Sequence, residues 1–373
     1  MAESRSPVRT FRCAVLSAVK HDYVARGVAS HPRFEIVVVA DDPSVPQWAH
    51  ERNQHFAEAF QIPYVRDVDR ALREFNVQVA IVSPEAERHC DLSIRAANLG
   101  AHVIQDKPLA VSRSAADALV AAIEKSGVRF LMWNRNFIPA VLDAQRQIQS
   151  GIIGQPYAIH ADFYFAKDAG PPKGSRQAGY PPLNWQAHQI ASHIDGSDGG
   201  LGELPMGELA IEGIYPLGYL QMLAGKEVRR VFARRASHFH QLYADNGVED
   251  LASMTLEMED GLIGSVALGR IGAASHNSGG EIELHILGSE GALVINEALP
   301  HVGIYYRGQP AKEPRQRRVA NENDFLLAEN FAQAIDHGTD TILGARASRA
   351  IFATMEAALK SCDSGLAVDV RHS

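Results

Sequence analysis

Apolar residues in the first third of the chain come in short unbroken runs rather than in alternation. Phe11–Leu16, Ile36–Ala40, Val77–Val82, His102–Gln105 and Val128–Trp133 each read as a strand. Between them, Val45–Phe60, Val68–Phe75, Glu87–Leu99 and Arg113–Lys125 place their apolar residues at helical spacing. Strands alternating with helices predict a parallel sheet covered on both faces. Unbroken apolar runs fit strands buried on both sides. This α/β pattern sets a first domain over residues 1–134.

The pattern changes over 135–373, which forms a second domain in this reading. Ile138–Gln149 reads as a helix broken by Gly151-Ile-Ile-Gly154. Tyr157–Phe165 alternates, with Ile159, Ala161 and Phe163 opposed to His160, Asp162 and Tyr164. Residues 166–204 are rich in Gly, Pro, Ser and His and have no period; a loop of that length inside a domain points to function. Met206–Leu223 returns to helical spacing. Strands are expected at Val228–Arg235, Leu251–Met258, Leu262–Leu268, Glu281–Leu287, Ala292–Asn296 and Val302–Tyr306, with a hairpin turn at Glu259-Asp260-Gly261. Asn323–Asp336 and Ala345–Ser361 read as closing helices, the last expected to pack back on the first domain. The fold class is therefore α/β followed by an α+β domain with a large, mostly antiparallel open sheet.

Composition narrows the field. An apolar content of 46% and a charged content of 21% over 373 residues are those of a globular protein. A net charge of −8 argues against nucleic acid as a partner. Cys13, Cys90 and Cys362 are odd in number and far apart, which fits neither a disulfide framework nor a zinc site. No run of about 20 apolar residues occurs, so neither a signal peptide nor a membrane partner is expected, and the cytoplasm is the expected compartment. His188, His193 and Asp195 fit no standard zinc spacing, so no metal is expected.

Strand ends carry the candidate chemistry, because open α/β sheets bind ligands there. The strand His102–Gln105 ends in Asp106-Lys107-Pro108. Lys107 is placed to move a proton or orient a hydroxyl; the alternative is a solvated turn lysine. Asp41 ends the second strand, where an acid holds a ribose hydroxyl pair; the alternative is a helix cap. Asp42 follows with no arginine soon after, which favours NAD and makes NADP less expected. Ser83 and Pro84 end the third strand, and His89 opens the next helix. The glycine-rich turn of dinucleotide domains is absent: Ser17-Ala18-Val19-Lys20-His21-Asp22-Tyr23 stands there, and Gly27 comes too late to open the turn. Backbone N–H groups at the start of the following helix still offer a pyrophosphate site, with Ser17, Lys20 and His21 as added donors.

Taken together, the segments Val82-Ser-Pro-Glu-Ala-Glu-Arg-His89, Ala97-Asn-Leu-Gly-Ala-His-Val-Ile-Gln-Asp-Lys-Pro-Leu-Ala110, Asn184-Trp185 and Glu212-Gly-Ile-Tyr-Pro-Leu-Gly-Tyr-Leu-Gln-Met-Leu-Ala-Gly225 resemble the glucose–fructose oxidoreductase / inositol dehydrogenase / rhizopine-catabolism (Gfo/Idh/MocA) family. The resemblance implies an N-terminal Rossmann-type domain, an open antiparallel sheet domain, and oxidation of a secondary hydroxyl of a sugar, glycoside, cyclitol or related polyol with NAD. It implies Lys107 and Tyr215 as acid–base groups beside Asp106. It places Ala18, Asp22, Tyr23 and Asn134 with the cofactor residues already named. Arg135, Tyr164, Trp185, His188 and Glu212 join Lys107 and Tyr215 on the substrate side. It also implies a homodimer or homotetramer.

Departures from the pattern are Ile211 in place of an aspartate, with Glu212 adjacent, and Asn136 in place of an arginine, with Arg135 adjacent. Two other readings stay open: a non-redox enzyme that recycles bound NAD, and a catalytically silent nucleotide-binding regulatory protein. Tyr215 also reads as a core tyrosine, but Pro216 beside it argues for a special local role, since a proline inside a helix costs about 3 kcal/mol.

Overall fold

The computed structural model describes residues 9–135, 137–164, 207–238, 244–245, 247–269, 282–296, 301–306 and 322–372. Two compact units divide the chain. The first comprises the chain up to Trp133 together with Asp324–Arg349; the second comprises Asn134–Asn323 and Ala350–Ser373.

The first unit is built on strands β1 (Phe11–Leu16), β2 (Phe34–Ala40), β3 (Tyr64–Val65), β4 (Val79–Val82), β5 (His102–Gln105) and β6 (Phe130–Met132). They form one parallel sheet in the order β3-β2-β1-β4-β5-β6. Cys13–Leu16 and Val79–Val82 are all inaccessible to solvent, which explains their unbroken apolar sequence. Helices α1 (Asp22–Ala29), α2 (Gln47–Phe60), α3 (Val68–Glu74), α4 (His89–Asn98) and α5 (Arg113–Ser126) cross between the strands. Local chemistry sets their ends. Asp67 caps α3 through Arg70 N (2.9 Å), Ser112 caps α5 through Ala115 N (3.3 Å), and Gly127 ends α5 at φ 69°.

Part of α9 (Glu322–His337) and the first turn of α10 (Ala345–Ser364) belong to this unit although they lie late in the chain. Arg33 pairs with Asp336 (2.7 Å), His31 with Glu329 (2.8 Å) and Arg349 with Asp117 (2.6 Å). Leu343 O accepts from Met132 N at 3.0 Å, beside the edge strand β6.

The second unit holds α6 (Pro139–Gln149), β7 (Pro156–Tyr164), α7 (Glu208–Glu212), α8 (Ile214–Ala224), β8 (Val228–Ala236), β9 (Leu251–Met258), β10 (Ile263–Gly269), β11 (Ile282–Gly288), β12 (Gly291–Asn296), β13 (His301–Tyr306) and β14 (Val368–Asp369). Its eight-stranded sheet runs β13-β12-β11-β7-β10-β9-β8-β14. Every pairing is antiparallel except β7 with β10. The alternation of β7 is real: Ile159, Ala161 and Phe163 are buried, while His160, Asp162 and Tyr164 are half-buried. The β9–β10 hairpin turns on Asp260 (φ 55°) and Gly261 (φ 75°). Helix α8 covers the buried face. Tyr219, with no exposed surface, meets Phe163 edge-on at 6.3 Å, and Tyr215 stacks on the same ring at 5.6 Å. Fully burying side chains of this size stabilises by roughly 1.5–3 kcal/mol each.

The expected helix over Met206–Leu223 is two helices meeting at Gly213. A Cβ there would lie 2.2 Å from Leu209 O, so only glycine fits the junction. Pro216 thereby falls in the first turn of α8, where the missing N–H has no helical acceptor to lose. The expectation that Pro216 marks a special role for Tyr215 is corrected accordingly.

Candidate active site

The corner after β5 is held by a cluster of buried hydrogen bonds. Asp106 is inaccessible to solvent, and Lys107 is 3% exposed. Asp106 Oδ2 accepts from His21 Nδ1 at 2.6 Å and from Ser83 Oγ at 3.4 Å, while Oδ1 accepts the Lys107 N–H at 2.8 Å. The single Ser83 hydroxyl proton is shared between that carboxylate and His21 O, which is nearer at 3.0 Å. His21 comes from the turn after β1, Ser83 from the end of β4 and Asp106 from the end of β5, so three strand ends converge on one carboxylate. Burial pushes the Asp106 carboxyl up, but His21, Lys20 and His89 outweigh it and hold it well below the usual carboxylate range. Burial likewise lowers the His21 imidazole, against the pull of Asp106. An acid held so firmly ionised is a weak base. Asp106, expected among the catalytic groups, accepts the Lys107 N–H and faces His21 Nδ1.

His89 is also corrected. It has no exposed surface; Nδ1 faces Pro108 O at 2.8 Å and Nε2 faces Pro84 O at 3.3 Å. It ties the turn after β4 to the turn after β5 and is not available to a cofactor. Burial pushes its imidazole down to about 4. Cys90 Sγ and Gln105 Nε2 both donate to Leu109 O (3.3 and 2.8 Å), so the loop that follows Lys107 is also tied down.

The turn after β1 replaces glycine chemistry with a strained serine. Ser17 is inaccessible, takes φ 66°, and its Oγ has no hydrogen-bond partner. Left-handed backbone costs a non-glycine residue about 1–2 kcal/mol, so this turn keeps the glycine conformation without the glycine. Ala18 N donates to Asn53 Oδ1 at 2.7 Å. Asp22 is paired outward with Arg26 at 2.8 Å, and Tyr23, 40% exposed, tilts against the His21 ring at 5.0 Å. Asn134 follows β6, is 1% exposed, and neither end of its carboxamide has a partner. The orphaned buried hydroxyl of Ser17 fits a polar ligand at the carboxyl end of β1.

The second strand end departs most from expectation. Asp41 is inaccessible, and its carboxylate already accepts four hydrogen bonds. Oδ1 takes Arg88 Nη1 (2.6 Å) and Asp42 N (2.9 Å); Oδ2 takes Asn53 Nδ2 (2.8 Å) and Arg88 Nη2 (3.3 Å). That fills about four lone-pair sites, leaving none for a ribose hydroxyl pair. The expected direct contact of Asp41 is corrected to a contact with Arg88. Asp42 is paired with Arg95 at 2.7 and 3.0 Å, so the absence of an arginine soon after it in sequence is undone in space. Sequence reasoning missed Asn53, Arg88 and Arg95. No spacing links them to Asp41 and Asp42, since strand ends far apart in the chain meet only through the sheet order.

In the second unit, Tyr215 is 7% exposed, and Glu212, one turn earlier, is 5% exposed. Helix α7, which carries Glu212, is anchored by buried Glu249, whose Oε1 accepts Leu209 N at 2.8 Å and whose Oε2 faces Arg235 at 3.3 Å. Tyr164 ends β7; burial and Asp162 raise its phenol above the ordinary value. Arg135 is half-buried. Trp185, His188 and Asn136 lie outside the described residues.

Residues 13–134 match the oxidoreductase family with an NAD-binding Rossmann fold, and residues 202–294 match the GFO/IDH/MocA C-terminal domain. The chain is 25% identical over 288 residues to scyllo-inositol 2-dehydrogenase (NAD(+)) of Bacillus subtilis, covering 76% of this chain and 73% of that protein. It is 22% identical over 346 residues to 2,7-anhydro-N-acetylneuraminate hydratase of Mediterraneibacter gnavus, covering 83% and 85%. A levoglucosan dehydrogenase solved with NADH superposes at a TM-score of 0.79 and 18% identity, over 97% of this chain and all of that one, a likeness of fold.

Proposed function

The chain belongs to the GFO/IDH/MocA family of NAD-binding oxidoreductases, and from that premise we propose that it oxidises a secondary hydroxyl of a sugar, glycoside, cyclitol or related polyol. The observation that carries this reading is the Asp106–Lys107 corner. A buried lysine stands at a strand's carboxyl end, its backbone fixed by a carboxylate that is itself fixed by His21 and Ser83. Bound NAD supplies the hydride acceptor. The protein supplies the rest. Ser17, His21 and Asn134 hold the cofactor through unfilled or turn-directed polar atoms. Lys107 Nζ takes the hydroxyl proton as the carbon is oxidised and returns it in reduction. Tyr215 is the second proton-transfer group, and Arg135, Tyr164 and Glu212 orient the remaining hydroxyls. The named substrates of the inositol and levoglucosan dehydrogenases support this substrate class.

The test is direct. Purified protein with NAD is offered a panel of cyclitols, aldoses and anhydrosugars, and reduced nicotinamide is followed by its absorbance. Accumulation with one class supports the reading; none with any polyol opposes it. The hydratase relative favours a second reading, in which bound NAD is recycled within the site. Product formed without net reduced cofactor would select that one.

Two further properties complete the proposal. The free thiols Cys13, Cys90 and Cys362 support a reducing compartment, the cytoplasm. Among the described residues no helix is long and apolar enough to cross a membrane. The open face of the second unit's sheet carries Ile263, Leu287 and Phe232 at 58%, 52% and 39% exposure, which supports self-association into a homodimer or homotetramer.

A further inference from the structure

Arg88 pairs with Asp41 at the second strand end, next to the Asp42–Arg95 pair. It follows β4 and Asp41 follows β2, and both strands flank β1. The ion pair between them therefore spans the carboxyl end of β1, beside the turn that carries Ser17. Arg88 keeps 18% of its side chain exposed and Asp41 keeps none. Most of the guanidinium is committed. Nε donates to Glu85 (3.0 Å), Nη1 to Asp41 Oδ1 (2.6 Å) and Nη2 to Asp41 Oδ2 (3.3 Å), and Nη2 also lies 3.0 Å from Glu85 as an ion pair. A guanidinium has five N–H donors. Three are hydrogen-bonded and the second Nη2 N–H faces Glu85 in an ion pair, which leaves one on Nη1 among the described residues.

We propose that Arg88, rather than Asp41, is the side chain that meets the adenosine ribose of the dinucleotide, and that Asp41 is a positioning residue acting through it. This rests on the nucleotide-binding assignment of the first unit. One remaining N–H suits a single hydroxyl oxygen. It does not suit a 2′-phosphate, which needs a guanidinium with a free edge and an uncompensated charge. Two carboxylates, Asp41 and Glu85, already hold both. Discrimination against the phosphate thus comes from how the arginine is occupied, not from an exposed acid. Removing Asp41 should release Arg88 and convert it into a phosphate ligand.

The experiment measures NADH and NADPH dissociation constants by nicotinamide fluorescence for the wild-type chain, Asp41→Ser, and the double variant Asp41→Ser/Arg88→Met. Circular dichroism confirms folding. The wild-type chain is expected to bind NADH more tightly. Asp41→Ser should tighten NADPH relative to NADH by about 10- to 100-fold, the scale of a charge-assisted contact. The double variant should lose that gain. A merely structural role for either residue would weaken both cofactors together and leave their ratio unmoved. A gain that persists without Arg88, or no gain at all, would overturn the proposal. Asp41→Asn, which keeps the volume and one acceptor, carries the same test if the serine variant does not fold. Failure of the wild-type chain to bind either cofactor would count against the nucleotide assignment itself, whereas normal NADH binding with an unmoved ratio overturns only the role of Arg88.

Discussion

Acidification should loosen the first unit through His89, and the size of the effect follows from its surroundings. The ring is fully buried; burial and nearby Lys20 disfavour a positive charge and outweigh Asp106 and the carbonyls of Pro108 and Pro84, which favour it. Burial lowers its pKa from 6.5 to about 4. In the unfolded chain the imidazole takes its proton near 6.5, so between these values the unfolded state binds more protons than the folded one. Stability is therefore intact above about pH 6.5 and is lost as the pH falls towards 4. At about 1.4 kcal/mol per pH unit, the loss reaches about 2 kcal/mol near pH 5 and about 3 kcal/mol below pH 4. Urea denaturation followed by the fluorescence of Trp48 and Trp133 would read it. His89→Gln keeps a donor for Pro108 O but cannot titrate. It should be less stable than wild type at pH 7 by about 1 kcal/mol, the usual cost of a substitution at a fully packed buried position. That difference should move by about 2 kcal/mol in favour of the variant on going to pH 5. Parallel pH profiles for the two proteins would refute the assignment of a neutral, buried His89.

Other expectations concern the turn, the second unit and its open face. Ser17→Val places a β-branched residue at positive φ and should destabilise by more than about 1 kcal/mol while weakening NADH binding, whereas Ser17→Gly should preserve both; equal effects in equilibrium titrations would contradict the strain argument. Glu249→Ala removes the carboxylate that holds Leu209 N and faces Arg235, and should cost about 3 kcal/mol or more in denaturation; a loss under about 1 kcal/mol would show that α7 stands without it. Ile263→Asp with Leu287→Asp should reduce the mass seen by light scattering to that of one chain, and a wild-type chain that is already a monomer at micromolar concentration would refute self-association through this face.

The first sheet was legible because its strands are buried on both sides, so burial writes itself as Val-Ala-Ile-Val or Ile-Val-Val-Val-Ala without interruption. Strands of two residues, β3 and β14, carry no period and were not legible. Helix α1 was hidden too: its buried stripe is only Val24, Ala25, Gly27 and Val28, behind a polar start. Lys107 and Asp106 could be read because proline and a strand end mark their place locally. The lock on Asp106 could not, since His21, Ser83 and Asp106 come from three strands whose order only the sheet reveals. Asp41 shows the limit most clearly. Its position was readable, but whether its oxygens face a ligand or an arginine depends on Arg88 and Asn53, and nothing in the spacing announces either.

Turnover by Lys107 variants tests the central claim most directly. Lys107→Ala should lower turnover of the best polyol by about 10²–10⁴-fold, the range of a positioned proton-transfer group, while leaving NADH affinity and melting temperature near wild type. Lys107→Arg should recover little, because a guanidinium keeps its charge but does not release its proton at working pH. Full turnover in Lys107→Ala, or full rescue by arginine, would contradict the account and return Lys107 to the role of a turn residue beside Asp106.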